Sequence, residues 1–316
     1  RAPAAPPRSD QSARRSTVTV TRDDPAPGRP GRDATKDDAV CAWAQAAAAG
    51  GRRGPMKIVT LVKQVADTYS ERKLSDSDHT LDREGAEAVI DEINERAVEQ
   101  ALLLKEANDG SEVVVVSMGP DRATDAIRKA LSMGADSAVH LSDEAIHGSC
   151  AVQTAKALTK LIGTVDGWDM VIAGNSASDG QIGAVPAMIA ELLGVPSLTH
   201  ANELSVEGTT VKAKRETDEG VTHLTAELPV VVSIGEKSNE PRYPSFKGIM
   251  AAKKKPVETL DLAGAGIDAS EVGLANALTT VVSAAPKPPK QAGEKVTDEG
   301  DGGAKIAEFL VGQKLI

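Results

Sequence analysis

The sequence predicts an α/β fold, built on a doubly wound and mainly parallel sheet with an antiparallel extension and an extended C-terminal arm. Short apolar runs bounded by Gly, Asp or Ser alternate with segments in which apolar residues recur every three or four positions. Aromatic residues make up 2% of the chain against 41% for all hydrophobic residues, so the core must be aliphatic, as buried parallel strands usually are. After Pro196 the helical period is lost, which indicates antiparallel strands.

Four apolar runs predict the strands of the parallel part of the sheet. These predicted strands cover residues 57–65, 112–118, 137–141 and 168–173. The segments between and after them predict amphipathic helices, each with one apolar stripe. The stripes lie within residues 93–104, 123–131, 151–162 and 182–193. Strand and helix in alternation give parallel strands joined by right-handed crossovers, with helices on both faces of the sheet.

Two further stretches are predicted to extend this sheet and to cover one of its ends. Beyond Pro196, four short runs contain Val and Thr and are separated by Glu-Gly turns, which is typical of antiparallel strands. These runs cover residues 198–206, 209–216, 221–227 and 229–235, with Pro229 at the first position of the last. Residues 68–90 are polar and contain Asp, Ser and Gly, so we expect a loop or an irregular hairpin over one sheet end.

The first 55 residues differ in composition from the rest of the chain. Residues 1–55 hold 7 of the 17 prolines and ten Arg or Lys against six Asp, with few large apolar side chains. Such a segment cannot bury enough surface to offset its ordering entropy, so we expect it to be disordered. Our preferred hypothesis is that Met56 is the true start and that residues 1–55 are a non-native upstream leader, the alternative being a targeting peptide. We expect an α/β domain at 56–261, which includes the segment 239–255, and a C-terminal arm at 262–316.

Composition argues against several classes of partner. The net charge is −10 and the pI is about 5.1, whereas proteins that bind nucleic acid or anionic membranes through their charge are basic. Two cysteines, Cys41 and Cys150, are too few for a disulfide framework or a zinc site. No run approaches 18 consecutive apolar residues. We therefore expect a cytoplasmic protein that neither binds nucleic acid nor inserts into a membrane.

The stretch AGNSASDGQIGAVPAMIAELLG, residues 173–194, is the most informative for chemistry. It leaves a predicted strand and enters a helix near Ile182, and its Gly, Ser and Asp residues suit a helix start with exposed N–H groups. Such N–H groups bind anions, and the carboxyl edge of a parallel sheet is where nucleotides bind. We therefore expect a nucleotide phosphate here. A Walker A lysine and a GxGxxG motif are absent, so we do not expect ATPase activity. An ordinary strand-to-helix loop is the alternative, and helix starts at 91–94 and 119–121 lie at the same predicted edge.

Catalytic and metal-binding motifs are missing from the sequence. The five histidines show no HxxxH or HxH spacing, which argues against a metal site. GxSxG is absent, and Cys150 at a predicted helix start has no assignable His partner, so a small half-buried side chain is the simpler interpretation. The sequence thus gives no positive evidence for covalent or general acid–base catalysis, and we assign no catalytic residues.

The segment NEPRYPSFKGIMAAKKK, residues 239–255, is unusual for a surface loop. It contains two of the six aromatic residues, Tyr243 and Phe246, beside Arg242 and a cluster of three lysines. Aromatic residues, Met and Arg concentrate in the energetic centres of protein interfaces, so the segment is a candidate docking site. The alternative is that Phe246 and Met250 anchor the loop by packing onto the domain.

Taken in order, these segments resemble the beta subunit of electron transfer flavoproteins over residues 56–316. The similarity lies in VKQVADT (62–68), ERAVEQALLLKE (95–106), VVSMGPDRATDAIRKALSMGAD (115–136), the loop 174–186, KRETDEGVTHLTAELPVVVS (214–233), and NEPRY with IM and KKK (239–255). The resemblance implies a heterodimer whose alpha subunit holds most of an FAD, while this subunit holds a structural AMP. It also implies electron transfer from acyl-CoA dehydrogenases and other flavin dehydrogenases to a membrane quinone oxidoreductase.

The resemblance also assigns site residues by position. The AMP site would comprise Leu61, Asp91, Glu92, Ile93, Asn94, Met118, Gly174, Asn175, Ser176, Ala177, Ser178, Asp179, Gly180, Gln181, Ile182, Gly183, Ala184 and Val185. The dehydrogenase-binding residues would be Arg242, Tyr243, Phe246, Ile249 and Met250. The family often has Asn-Pro where this chain has Asp91-Glu92; a carboxylate there could accept from an adenine amino group but would repel phosphate. The family tends to have an aromatic residue near the flavin at one position. In this chain that position is Thr68, and Tyr69 follows it.

Three other functions remain open on the sequence alone. A stand-alone adenine-nucleotide sensor of the universal-stress type shares this α/β plan but leaves 239–255 unexplained. An adenine-nucleotide hydrolase or ligase should show an SGG-type phosphate loop, which is absent. A bifurcating flavoprotein of the same family would hold a second FAD where AMP is expected.

Overall fold

A seven-stranded sheet, parallel throughout, forms the centre of the fold. The computed structural model describes residues 17–23 and 54–316, apart from positions 286, 290–292, 294 and 296. The chain divides into two compact units, one ending at Thr280 and the other beginning at Val281. The central sheet belongs to the first unit, and the predicted doubly wound α/β fold is confirmed.

Within the described residues the strands and α-helices take the following bounds. The strands are β1 (Thr19–Asp23), β2 (Lys57–Leu61), β3 (Gln64–Ala66), β4 (Ala88–Ile90), β5 (Glu112–Met118), β6 (Ser137–Leu141), β7 (Met170–Gly174), β8 (Ser197–Ala201), β9 (Glu203–Glu207), β10 (Thr210–Thr217), β11 (Gly220–Glu227), β12 (Val230–Ile234) and β13 (Val257–Leu260). The helices are α1 (Glu92–Ala107), α2 (Thr124–Met133), α3 (Ala151–Ile162), α4 (Val185–Leu193), α5 (Phe246–Ala252) and α6 (Gly302–Gly312).

The central sheet is buried on both faces. Its strand order is β13-β6-β5-β2-β7-β12-β8. On one face Ile58 and Val115 pack with α1 and α2, and on the other Val59 and Val116 pack with α3 and α4. Because successive side chains of a strand point to opposite faces, a strand covered on both sides must be apolar at nearly every position. This is why the uninterrupted run EVVVVSM predicted β5 with its correct bounds.

The region after Pro196 differs from the predicted antiparallel extension. Residues 198–206 form two strands rather than one, because the chain leaves the parallel sheet at Asn202 and enters a separate sheet. That second, antiparallel sheet has the order β1-β11-β10-β9. The last predicted strand, 229–235, is instead a parallel strand between β7 and β8, and all five residues of Val230–Ile234 are buried. The helical period is lost here because the strands after Pro196 are joined by short connections without helices. Only some of these strands are antiparallel.

The expectation that residues 1–55 are disordered is wrong for the part that the structure describes within that segment. Thr19–Asp23 form a strand that pairs antiparallel with β11, from Thr19 opposite Thr225 to Asp23 opposite Val221. Val18 packs against the first-unit core. The edge of β11 offers unpaired backbone groups, and hydrogen bonds to that edge offset the ordering cost of a short strand. Residues 1–16 and 24–53, with Cys41 and Trp43, lie outside the described residues.

The C-terminal region also departs from its predicted boundary. Leu262, Ile267 and Val272 are buried with the helices of one sheet face, so the first unit continues well past residue 262. The predicted boundary at 262 falls instead at 280, where the two compact units divide. Sequence inspection also missed the edge strand β13, whose residues are half-buried or exposed and lack an apolar run. The second unit, considered by itself, contains α6, with Ile306 and Phe309 exposed.

Candidate functional site

The residues predicted to bind a nucleotide come together at the carboxyl edge of the central sheet. Leu61 and Met118 end the neighbouring strands β2 and β5, and Gly174 ends β7 on the other side of β2. The N-terminus of α1 packs against this edge so closely that a Cβ on Gly174 would lie 2.5 Å from Asn94 Nδ2. The loop between β7 and α4, residues 175–184, lies beside that helix start. The structure thus groups the predicted segments.

Asp91 joins the start of α1 to this loop. As the N-cap of α1, its Oδ1 accepts from Ile93 N at 3.0 Å, from Asn94 N at 3.2 Å and from Asn94 Nδ2 at 3.1 Å. Its Oδ2 accepts from Ser178 N at 2.7 Å. Both oxygens of this buried carboxylate therefore accept from protein N–H groups, which makes Asp91 a positioning residue for the loop. Its predicted acceptance of an adenine amino group stays a prediction, and its neighbour Glu92 is exposed.

The loop 175–184 is irregular for longer than predicted. The helix that was expected to begin near Ile182 begins at Val185. Gln181 and Gly183 have φ values of +50° and +69°, and left-handed residues of this kind cannot be accommodated inside an α-helix. Ile182 is exposed between them. The extra irregular residues lengthen the stretch of backbone that faces the sheet edge.

A buried carboxylate with two cationic partners holds the same loop. The side chain of Asp179 is 0% exposed and lies 2.7 Å from Lys63 Nζ and 2.8 Å from an Arg83 guanidinium nitrogen. Burial by itself raises the pKa of Asp179, but the charges and hydrogen bonds of Lys63 and Arg83 outweigh it and lower that pKa below its usual 3.8. A further cation, Arg72, donates to the carbonyl of Ser178 at 2.9 Å. The polar segment 68–90 thus reaches over the sheet edge, as expected, through its arginines.

Sequence reasoning missed Lys63, Arg72 and Arg83 as parts of this site. Their pairings with residues 178 and 179 span about a hundred chain positions, so no local pattern connects them. The available signals were the polar segment itself and a lysine inside the otherwise mainly apolar run 57–65. The backbone of Lys63 is also tied to α1, since its N–H donates to Asn94 Oδ1 at 2.7 Å and its carbonyl accepts from Asp91 N at 3.0 Å.

The segment 239–255 presents an apolar surface made by Tyr243, Phe246, Ile249 and Met250, here called the docking surface. Tyr243 is 95% exposed and Phe246 is 79% exposed, so Phe246 does not anchor the segment as the alternative interpretation requires. Part of the predicted loop is helical: α5 begins at Phe246, and the Ser245 side chain caps it by accepting from Gly248 N at 3.0 Å.

The docking surface is held on the domain by Gly248, which packs against α2, and by Arg242, which pairs with α1. A Cβ on Gly248 would lie 2.4 Å from the carbonyl oxygen of Ser132, so only glycine allows α5 to approach α2 this closely. Arg242, which was predicted to bind a partner, instead directs its guanidinium to Glu99 and Glu106 of α1. Tyr69, the residue next to the position expected near a flavin, is exposed.

Two other features are missing from the described residues. No group of three His, Cys, Asp or Glu side chains there is arranged to hold a metal ion. Every helix in that part of the chain is too short or too polar to cross a lipid bilayer.

Comparisons with known proteins agree with this geometry. A family model described as the electron transfer flavoprotein domain matches residues 78–265. The chain is 62% identical to the electron transfer flavoprotein subunit beta of Mycobacterium tuberculosis, with 82% of this chain and 99% of that protein covered. It is 35% identical to the subunit of the same name from Megasphaera elsdenii, over 83% and 100% of the two chains. It is 34% identical to the caffeyl-CoA reductase-Etf complex subunit CarD of Acetobacterium woodii, over 77% and 92%. The chain therefore belongs to the family of electron transfer flavoprotein beta subunits.

Proposed function

We propose that this chain binds AMP at the carboxyl edge of its sheet and pairs with an alpha subunit that holds most of an FAD. The heterodimer would accept electrons from flavin dehydrogenases, such as acyl-CoA dehydrogenases, and pass them to a membrane quinone oxidoreductase. The observation that carries the proposal is the loop 175–184, fixed by Asp91 and Asp179 at the sheet edge of a chain that belongs to this family.

The residues at the sheet edge fit an adenine nucleotide. Gly174 leaves room where α1 approaches the sheet, and the left-handed Gly183 lets the loop backbone turn toward a ligand. Lys63 and Arg83 pair with Asp179, and Arg72, which donates to the Ser178 carbonyl, brings a third cation to an edge that also carries Asp91 and Glu92. Backbone N–H groups of the loop would hold the phosphate. These features support AMP as the ligand of this edge.

Electron transfer needs no catalytic side chain from this subunit. The flavin supplies the redox chemistry when it is bound. The protein's part is to hold the subunits together, to orient the flavin against its partners and to limit the access of water. Thr68 stands where the family tends to place an aromatic residue near the flavin, and the neighbouring Tyr69 is exposed. This division of labour accounts for the absence of catalytic motifs in the sequence.

The docking surface supports exchange of electrons with other flavoproteins. Exposed aromatic and aliphatic side chains on a short, firmly packed helix are typical of a binding hot spot. The relative from Acetobacterium woodii carries the name of a complex with a caffeyl-CoA reductase, an enzyme of CoA thioesters. That name supports enzymes that act on CoA thioesters as a class of redox partner for this chain.

The experiment is to purify the natural complex through a tag on the full chain and to measure its visible spectrum and nucleotide content. A yellow complex with a second chain and equal amounts of FAD and AMP supports the proposal. Two FAD molecules without AMP would indicate the bifurcating form. A colourless single chain with AMP or ATP would overturn the proposal in favour of a nucleotide sensor.

A further inference from the structure

Arg242 lies at the base of the docking surface and is held by two carboxylates of one helix. Its Nε and one terminal nitrogen donate to Glu99 at 2.8 and 2.9 Å, and its terminal nitrogens donate to Glu106 at 2.5 and 3.1 Å. Its backbone N–H also donates to Glu99, at 3.1 Å. Bidentate pairing of this kind fixes both the position and the plane of a guanidinium. We call Glu99, Glu106 and Arg242 the clamp.

The clamp is protected from solvent on its inner side. The Glu99 side chain is 7% exposed, whereas the Glu106 side chain is more than half exposed. The hydrogen bonds that Arg242 donates to Glu99 and to Glu106 raise the pKa of Arg242, and the bond that Glu106 accepts lowers the pKa of Glu106 below its usual value. The ion pair with Glu99 is therefore the stronger half of the clamp, because its charges are less screened by water.

The same face of α1 holds the residues just before Arg242. Arg96 donates to the carbonyls of Ser238 and Asn239, both at 3.1 Å, and Asn239 Nδ2 donates to Gln100 Oε1 at 2.5 Å. Residues 96, 99, 100 and 106 follow the three- and four-residue spacing of one helix face. The chain that leads into the docking surface is thus fastened to α1 at several successive positions.

We infer that Glu99 is a positioning residue for the docking surface: through Arg242 it fixes the backbone from which Tyr243 and Phe246 project. This inference rests on the proposed docking of a flavin dehydrogenase. Most N–H donors of Arg242 are used inside the chain, so its guanidinium acts on the partner indirectly. A surface fixed in advance loses less conformational freedom on binding and fits a partner with a preformed apolar pocket.

The test uses the complete heterodimer and one dehydrogenase as electron donor. Glu99→Gln removes the charge of the inner carboxylate while keeping its shape. We expect about a tenfold higher KM for the heterodimer as acceptor, with unchanged kcat at saturation and unchanged flavin content, because only docking is affected. Arg242→Lys should show the same rise, since a single ammonium nitrogen cannot reproduce the planar, two-point pairing of the guanidinium with Glu99 and Glu106.

The matched control is Glu207→Gln in the antiparallel sheet. Glu207 of β9 pairs with Lys212 of β10 at 2.6 Å, so this variant removes an ion pair outside the central sheet and should keep the parent KM. If Glu99→Gln does not fold, Glu106→Gln tests the exposed half of the clamp and should raise KM by a smaller factor. Equal KM values for Glu99→Gln and Glu207→Gln, or a fall in kcat or flavin content with unchanged KM, would overturn the inference.

A second variant separates this inference from the proposed function on which it rests. Phe246→Ala removes the apolar contact itself. Should Phe246→Ala leave KM unchanged, the docking surface is not where the dehydrogenase binds and the proposed function fails at that point. Should Phe246→Ala raise KM while Glu99→Gln does not, docking is supported and the positioning role of Glu99 is rejected.

Discussion

Replacement of Asp179 by Asn should both destabilise the protein and loosen its nucleotide loop. Asp179→Asn keeps the side chain's shape but puts a neutral amide between Lys63 and Arg83, whose nitrogens lie 2.7 and 2.8 Å from the carboxylate. Hydrogen bonds between charged groups contribute about 1.5–3 kcal/mol each. Because the two cationic side chains are 39% and 38% exposed, they regain hydration and part of that loss is recovered. We expect a net loss of about 2 kcal/mol in the free energy of unfolding.

Thermal denaturation and nucleotide retention measure the two effects. A loss of this size should lower Tm by roughly 4–8 °C in a domain of this length. AMP should also dissociate faster during dialysis of Asp179→Asn than of the parent. The matched control is Asp136→Asn, which removes a carboxylate paired with Lys105 at 2.5 Å before β6, away from the nucleotide edge. The control should lose stability while keeping its AMP. Equal AMP loss in both variants would refute the reasoning, and so would a Tm and an AMP retention of Asp179→Asn equal to those of the parent.

The effect of Asp179 should also depend on pH. Lys63 and Arg83 lower the pKa of Asp179 in the folded protein below its usual 3.8, although burial opposes them. The stabilisation is therefore fully present above the pKa of the unfolded chain and is lost as the pH falls through the lower folded pKa. The difference in unfolding free energy between parent and Asp179→Asn should stay constant above about pH 5 and shrink below it. A difference that grows on acidification would contradict this assignment.

The remaining predictions concern two glycines and the docking surface. Gly174→Ala should reduce AMP content and Tm, because its Cβ would lie 2.5 Å from Asn94 Nδ2; a parent-like Tm would show that α1 can shift at little cost. Gly183→Ala should lower the free energy of unfolding by about 1–2 kcal/mol, because Gly183 has a φ of +69°. Crowding is not the cause, since the nearest atom to an added Cβ is Asn175 O at 3.7 Å. Chemical denaturation would test this, and equal stability would mean that the loop can change its conformation. Phe246→Ala should leave Tm unchanged and weaken dehydrogenase binding by about 1–3 kcal/mol, as measured by titration; a fall in Tm would mean that Phe246 packs on the domain.

The sequence predicted the central sheet well because burial on both faces leaves a local signal. The runs at 112–118 and 137–141 match β5 and β6, but the run at 57–65 divides into β2 and β3. The division is set by tertiary contacts, since Lys63 turns to bind α1 and Asp179. The short connection at Asn202 likewise changes sheets without a helix, and no local pattern marks it.

Within the candidate site, local and long-range features separate in the same way. The glycines and small polar residues of 174–185 are a local signal, and they located the loop. The cations that hold Asp179 come from other segments and were found only when the fold brought them together. The helix α5 was missed because Pro244 and Ser245 suggest a loop, although Ser245 is its N-cap.

Helix α1 holds two separate loops of the fold, and this affects which positions can change during evolution. Asp91 at its N-terminus fastens the nucleotide loop, while Glu99 and Glu106 further along fasten the segment before α5. Tyr243 and Phe246, by contrast, project into solvent and support nothing within the described fold. Under the proposed function, substitutions at these two positions would accumulate and change partner choice while AMP binding is preserved. Substitutions along the inner face of α1 would affect both proposed sites at once, so that helix should change slowly during divergence.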